Sequence, residues 1–286
     1  MKRYITFILI SAAVLAGCNG ADEAVGYDSR ERTVFEAVVE NGPQWELGDQ
    51  IGVYGSDQGA NERYVVTRAS VGTSGPAEIY GPVVKGSRFM AYYPYDPEYV
   101  GGTADALPMH IEDIQTYDSD MMRQYWAHVP LAAGSLGDDG VFHLVYPLGI
   151  MAVEIRFGTV LNVRAITLKS SSLPLAGDVS IVEGGRIAPT FTSEKSLMLD
   201  CGPDGVLTKE DGSFTRYYFI VPPGEYPAME LKLVINTSDG GEYLVHVPEA
   251  VTVERLKASD YHVQPVILTS VQAPGFGEQD GTITIN

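Results

Sequence analysis

The sequence has 286 residues, of which 45% are hydrophobic, with 31 Gly, 17 Pro and 17 Tyr; this suits one large or two small domains and favours many short strands over long helices. Its 37 acidic residues outnumber 19 basic ones for a formal charge of −18, which excludes nucleic acid as a partner, because phosphates are held by clustered Lys and Arg. Two cysteines, Cys18 and Cys201, are too few for a structural zinc site of several cysteines.

The chain opens with Lys2 and Arg3, continues through an apolar core from Tyr4 to Val14 and closes on Leu15-Ala16-Gly17-Cys18. A basic start, a short apolar core and a small-residue end mark a secretory signal, and the core is shorter than the roughly 20 apolar residues of a membrane span. The L-A-G-C run is similar to a bacterial lipobox, in which the cysteine thiol receives diacylglycerol and, after cleavage, the freed amine is acylated. Residues 1–17 are therefore expected to be a signal peptide and Cys18 the lipidated first residue of the mature chain. The alternative is an ordinary secretory signal followed by an unrelated cysteine. One acyl chain binds a membrane marginally, at about 0.8 kcal/mol per buried methylene, so several chains on one residue make a stable anchor. Loss of Lys2 and Arg3, with no acidic residue in 1–17, takes the charge from −18 to −20, a balance that keeps an exposed protein solvated. With Cys18 modified, Cys201 has no disulfide partner in the chain and reads as a buried small hydrophobe.

Asn19 to Ser29 is polar and without apolar periodicity, so residues 18–31 read as a lipidated flexible tether. From Thr33, Phe35, Ala37 and Val39 alternate with Val34, Glu36 and Val38, the period of a strand. Asn41-Gly42-Pro43 breaks it, and a turn at Gly48-Asp49 feeds a strand from Ile51 to Tyr54. Arg88 to Tyr95 alternates Phe89, Ala91 and Tyr93 with Met90 and Tyr92 until Pro94 stops it.

The order W-x-x-G-D-x-I-G-V-Y at Trp45–Tyr54, F-x-A-Y-Y-P-Y at Phe89–Tyr95 and V-P-L at Val129–Leu131, ahead of an alternating strand, resembles the fimbrillin-like lipoproteins of the Bacteroidota. These are subunits, anchors and tip proteins of type V pili, and the resemblance runs from about Phe35 to the C-terminus. It implies an all-β chain of two β-sandwich domains, transthyretin-like and Greek-key, in tandem after the lipoprotein signal peptide. The boundary falls at 32–188 and 189–286, where Gly184-Gly185 and Pro189 also suggest a link. In that family Asp22 and Glu23, soon after the lipidated cysteine, resemble the export signal to the cell surface, the other reading being a solvated tether.

Between Tyr99 and Trp126 the pattern weakens. Ile111, Ile114 and Met121-Met122 suggest short helical turns, while Pro108 and Asp118-Ser119-Asp120 suggest a long insertion loop. Asp118 and Asp120 are calcium-type oxygens without the spaced series of an EF-type loop, so no metal site is assigned and a solvated turn is favoured. Val141 to Phe157 is the most apolar part of the mature chain and is read as a strand with Val153, Ile155 and Phe157 on one face and Glu154 and Arg156 on a wet one. A further strand spans Val163 to Leu168. Tyr217, Phe219 and Val221 form the next strand. Leu231, Leu233 and Ile235, a turn at Ser238–Gly241, and Tyr243, Val245 and Val247 make a hairpin. Asp-Gly pairs recur at 139–140, 204–205, 211–212 and 280–281, as turns between short strands do.

After a glycine-rich stretch the chain ends with Thr282, Ile283, Thr284, Ile285 and Asn286, an extended tail with two isoleucines on one face. Such a tail docks as an added strand, with backbone bonds for affinity and alternate side chains for specificity. In the family that strand fills a neighbour's groove vacated by a removed first strand, so Thr282 to Ile285 is the candidate donor; the equally weighted alternative is pairing within its own sheet. Family members that polymerise are cut after an arginine. Arg30 and Arg32 are the candidates, but the segment before them lacks strand character, which points to an anchor, tip or accessory role, and a plain solvated pair is favoured over a cleavage site.

No catalytic constellation is present: the five histidines are scattered, and there is no H-E-x-x-H, G-x-S-x-G or P-loop. The expectation is thus no enzyme and no cofactor. The chain is read as an outer-membrane lipoprotein at the cell surface or in a fimbrium, assembling with other fimbrial subunits by strand exchange, with a host or bacterial surface glycan or protein as a further partner. The alternative is a monomeric glycan-binding lipoprotein presenting an aromatic platform from the Tyr99 to Trp126 loop.

Overall fold

The computed structural model describes residues 32–68, 75–157, 159–189, 193–209, 213–255, 266–271 and 283–285. In chain order the elements are β1 (Arg32–Val39), β2 (Gln50–Gly55), β3 (Gln58–Arg68), β4 (Ala77–Pro82), β5 (Phe89–Tyr93), β6 (Ala106–Ile111), β7 (Ile114–Thr116), helix α1 (Met121–His128), β8 (Ala132–Ser135), β9 (Val141–Leu144) and β10 (Gly149–Phe157). They continue as β11 (Asn162–Ser170), β12 (Gly177–Val182), β13 (Arg186–Pro189), β14 (Ser196–Asp200), β15 (Val206–Leu207), β16 (Thr215–Val221), β17 (Gly224–Tyr226), β18 (Leu231–Thr237), β19 (Glu242–His246), β20 (Val251–Val253), β21 (Val266–Val271) and β22 (Ile283–Ile285). The chain is all-β around two hydrophobic clusters.

The first cluster is wrapped by a seven-stranded sheet in the order β8-β5-β2-β3-β4-β1-β9. Its alternating strands turn Ala37, Val39, Ile51, Val53 and Ile79 inward, and Phe35 packs on Phe89 and Phe142 at ring distances of 5.5 and 5.2 Å. The two end strands then meet: Ala133 and Val145 exchange both backbone bonds at 3.0 Å, so the sheet curls onto itself and leaves no bare end. Gly134 permits that approach, since a Cβ there would lie 1.9 Å from the His143 carbonyl oxygen. The small sheet β13-β12-β6 supplies Leu107, Met109, Ile111, Val179 and Ile181 to the same cluster.

The second cluster lies between two sheets, β16-β10-β21-β22 and β19-β18-β11-β14-β7, with β15 also paired to β11. Strand β10 serves both clusters, giving Ile150 to the first and Met151, Val153 and Ile155 to the second.

Two sequence expectations are corrected. The single run from Val141 to Phe157 is two strands, and Glu154 is buried: its carboxylate pairs with Arg216 directly across from it on β16, so the charge is matched where it is covered. Between Tyr99 and Trp126 the chain is ordered, with Ile111 and Ile114 in strands and only Met121-Met122 helical. Leu107, Met109 and Ile111 alternate inward, and Pro108 is tolerated because β6 is the outer strand of its sheet and Pro108 turns its carbonyl to the Tyr99 hydroxyl, away from β12.

Candidate functional site

The ends of the chain carry most of the residues singled out by sequence. Cys18, Arg30 and Thr282 lie outside the described residues. Arg32 is the first described residue of β1, its guanidinium 4.9 Å from the centre of the Tyr80 ring. Strand β1 is held on both sides, antiparallel to β4 from Arg32 to Ala37 and parallel to β9 from Glu36 to Val39. At its far end His143 bonds Glu40 through Nδ1 at 3.2 Å and Asp139 through Nε2 at 2.9 Å. Those two carboxylates, Asp139 foremost, raise the His143 pKa above its ordinary value.

At the other end β22 runs antiparallel to β21, with Ile283 opposite Leu268, Thr284 opposite Ile267 and Ile285 opposite Val266. It is the outermost strand of its sheet, and β21 pairs in turn parallel with β10. In the single chain Ile283, Thr284 and Ile285 thus lie in their own sheet, held by one neighbour.

A third feature is the helix α1 and the segment before it. Asp120 caps α1, its carboxylate accepting the backbone N–H groups of Met122 at 3.0 Å and Arg123 at 3.1 Å. The Asp118 carboxylate pairs with Arg123 and accepts the Asp120 N–H at 2.8 Å. Both acids are thereby engaged in local bonds, and among the described residues no group of three His, Cys, Asp or Glu is arranged to hold a metal. The buried amide of Gln115 bonds Ile220 in both directions, donating to its carbonyl at 2.7 Å and accepting its N–H at 2.9 Å, while Gln124 donates to the Tyr218 carbonyl. These amides occupy three outward backbone groups of β16, at Ile220 and Tyr218, as a neighbouring strand would. Sequence reading missed both glutamines; a polar residue at the centre of I-Q-T is the signal that was available.

Trp126 emerges from α1 onto an aromatic bed. Its ring is 41% exposed and meets Tyr146 edge-on at 4.6 Å and Tyr125 at 5.0 Å. Tyr125 is buried and donates its hydroxyl to the Leu148 carbonyl at 3.0 Å. Of the adjacent tyrosines at 92–93 and 217–218, Tyr92 and Tyr217 are buried, and Tyr93 and Tyr218 half-buried. Cys201 is half-buried against the second cluster, and burial pushes its thiol up to about 12.

A sequence model of the family described as fimbrillin-like matches residues 37–284. The fold is similar to the crystal structure of a candidate cell adhesion protein from Bacteroides ovatus, with 17% identity, a TM-score of 0.47, and 90% of this chain and 97% of that one covered. It is also similar to the tip fimbrial protein Mfa3 from Porphyromonas gingivalis with C-terminal truncation, with 10% identity, a TM-score of 0.40, and 89% and 98% covered. No curated protein matches the chain.

Proposed function

This chain belongs to the fimbrillin-like family, and from that premise we propose that it is a non-catalytic surface subunit of a fimbrium or adhesin, anchored to the outer membrane through lipid on Cys18 and joined to its neighbours by strand addition. In this reading Thr282 to Ile285 is the donor. The observation that carries it is the state of β22: a three-residue outer strand with one neighbour detaches at the cost of few backbone bonds and is free to pair elsewhere. The acceptor is a groove opened when a first strand leaves. Since β1 runs on to Val39, a cut after Arg30 or Arg32 would release the tether and leave Thr33 to Val39 paired in the sheet. That favours an anchor, tip or accessory role.

The test is electrophoresis of the surface-extracted protein, boiled beside unboiled, for the natural chain and for a deletion of Phe276 to Asn286. A ladder that collapses on boiling is expected for the natural chain, and a folded protein without the ladder for the deletion. A ladder that survives the deletion rejects the donor assignment.

A second reading rests on Trp126. An exposed indole seated on Tyr146 and Tyr125 is pre-ordered for stacking against a sugar ring, and a glycan is the partner that fits it. On a carbohydrate array, Trp126→Ala should abolish binding with the far-UV spectrum unchanged; binding that persists rejects this reading.

A further inference from the structure

The sheet β19-β18-β11-β14-β7 turns one face to the second cluster and the other outward. On the outer face the strand register sets Ile114, Met198, Thr167, Val234 and Leu244 in one row across all five strands. At the usual strand spacing this mostly apolar stripe is about 19 Å long. Its two ends, Ile114 and Leu244, are 51% and 52% exposed. The next row on one side carries Asp200 and Glu242, and the next row on the other carries Lys169, Lys232 and His246.

Strand β19 is the outer strand on its side. Val247 donates to the Leu231 carbonyl at 2.9 Å and Thr237 to the Gly241 carbonyl at 3.0 Å, which fixes the phase of the hairpin ladder. Tyr243 and Val245 therefore bond inward to β18, and Glu242, Leu244 and His246 turn their N–H and C=O groups outward. Among the described residues no strand pairs with that edge. Two other edges of the fold are covered: β8 meets β9, and on β16 Gln115 takes the N–H and C=O of Ile220 while Gln124 takes the C=O of Tyr218.

We propose that β19 is a self-association edge, and that two copies of this chain pair β19 antiparallel to β19 about a two-fold axis at Leu244. The edge is self-complementary in this register. Leu244 of one copy meets Leu244 of the other, and Glu242 of each meets His246 of its neighbour. The outward backbone groups of both strands are the ones this pairing requires, and the apolar stripe becomes continuous across the dimer. The pairing uses no part of the C-terminal tail, so it is independent of strand donation and survives deletion of Phe276 to Asn286.

Sedimentation equilibrium of the full chain tests it. The natural chain should show a monomer–dimer equilibrium. Leu244→Pro should be monomeric with an unchanged far-UV spectrum, because the proline removes an outward N–H and leaves the ladder to β18 intact. Glu242→Lys sets a lysine against the basic corner of His246 and Lys232, and His246→Glu sets a carboxylate against Glu242. Each should weaken the dimer about tenfold, as two like-charged cross-strand contacts imply. An equimolar mixture of these two variants should recover dimer, since each chain then offers the opposite charge. A natural chain that stays monomeric at every accessible concentration, or a mixture no tighter than the separate variants, overturns the proposal. If Leu244→Pro fails to fold, the mixture alone decides.

Discussion

Glu230 follows Met229, whose φ of +65° bends the chain so that the carboxylate reaches back to the loop after β11. There it accepts the hydroxyls of Ser170 and Ser172 and the N–H groups of Ser172 at 2.7 Å and Leu173 at 3.1 Å. These donors, the Ser170 hydroxyl foremost, hold its pKa down at about 2 against an ordinary 4.5. Since the folded value is the lower one, this stabilisation is complete above about pH 4.5 and is lost as the pH falls towards 2. Glu230→Gln should cost about 1.5–3 kcal/mol at pH 7. Urea melts should show that difference shrinking between pH 4.5 and pH 2, and a difference that is flat with pH contradicts the assignment. At Cys201 the raised pKa leaves a neutral thiol at pH 8. Alkylation by iodoacetamide should be slow in the folded protein and rise sharply in denaturant; equal rates would place the thiol in water.

At the level of elements, the closure of the first sheet depends on Gly134. Gly134→Ala sets a methyl against backbone rather than a movable side chain, so the destabilisation should be at least about 1–3 kcal/mol by thermal melt. A shift within error would mean that β8 and β9 part without cost. The hairpin β18–β19 was legible in the sequence because every cue is local: alternation on both arms, and a turn in which Asp239 accepts the Thr237 hydroxyl at 2.6 Å and the Gly241 N–H at 3.2 Å. Strand β6 was hidden by Pro108, which breaks the look of a strand but sits on an outer strand, where a missing N–H on the unpaired side is harmless. The burial of Glu154 was hidden for another reason: its partner Arg216 is 62 residues away, beyond any local window. The glutamines that cover β16 were invisible for the same cause, standing 105 and 94 residues from Ile220 and Tyr218.

Across the whole molecule, α1 is bonded to both clusters. Tyr125 is buried in the first and reaches Leu148, while Gln124 and nearby Gln115 fasten to β16, which lines the second. Calorimetry should therefore show one transition for the natural chain. With Gln115→Leu and Gln124→Leu together, each stranded backbone group costs about 1–3 kcal/mol, and the transition should broaden or divide. A single sharp peak in the double variant would mean that the clusters are coupled elsewhere, through the shared strand β10. The double variant should also aggregate, because it bares the edge of β16. The placement of β1 has a mechanical consequence. This strand is the first described element of the chain, and it lies lengthwise between six register partners on β4 and four on β9. A pull arriving from the N-terminal side runs along its axis, so these contacts share the load and must yield together, instead of peeling apart in turn. Under the proposed N-terminal anchoring, such a chain would resist shear at its attachment point, its lifetime under flow set by the rate at which β1 slides free rather than by its equilibrium stability.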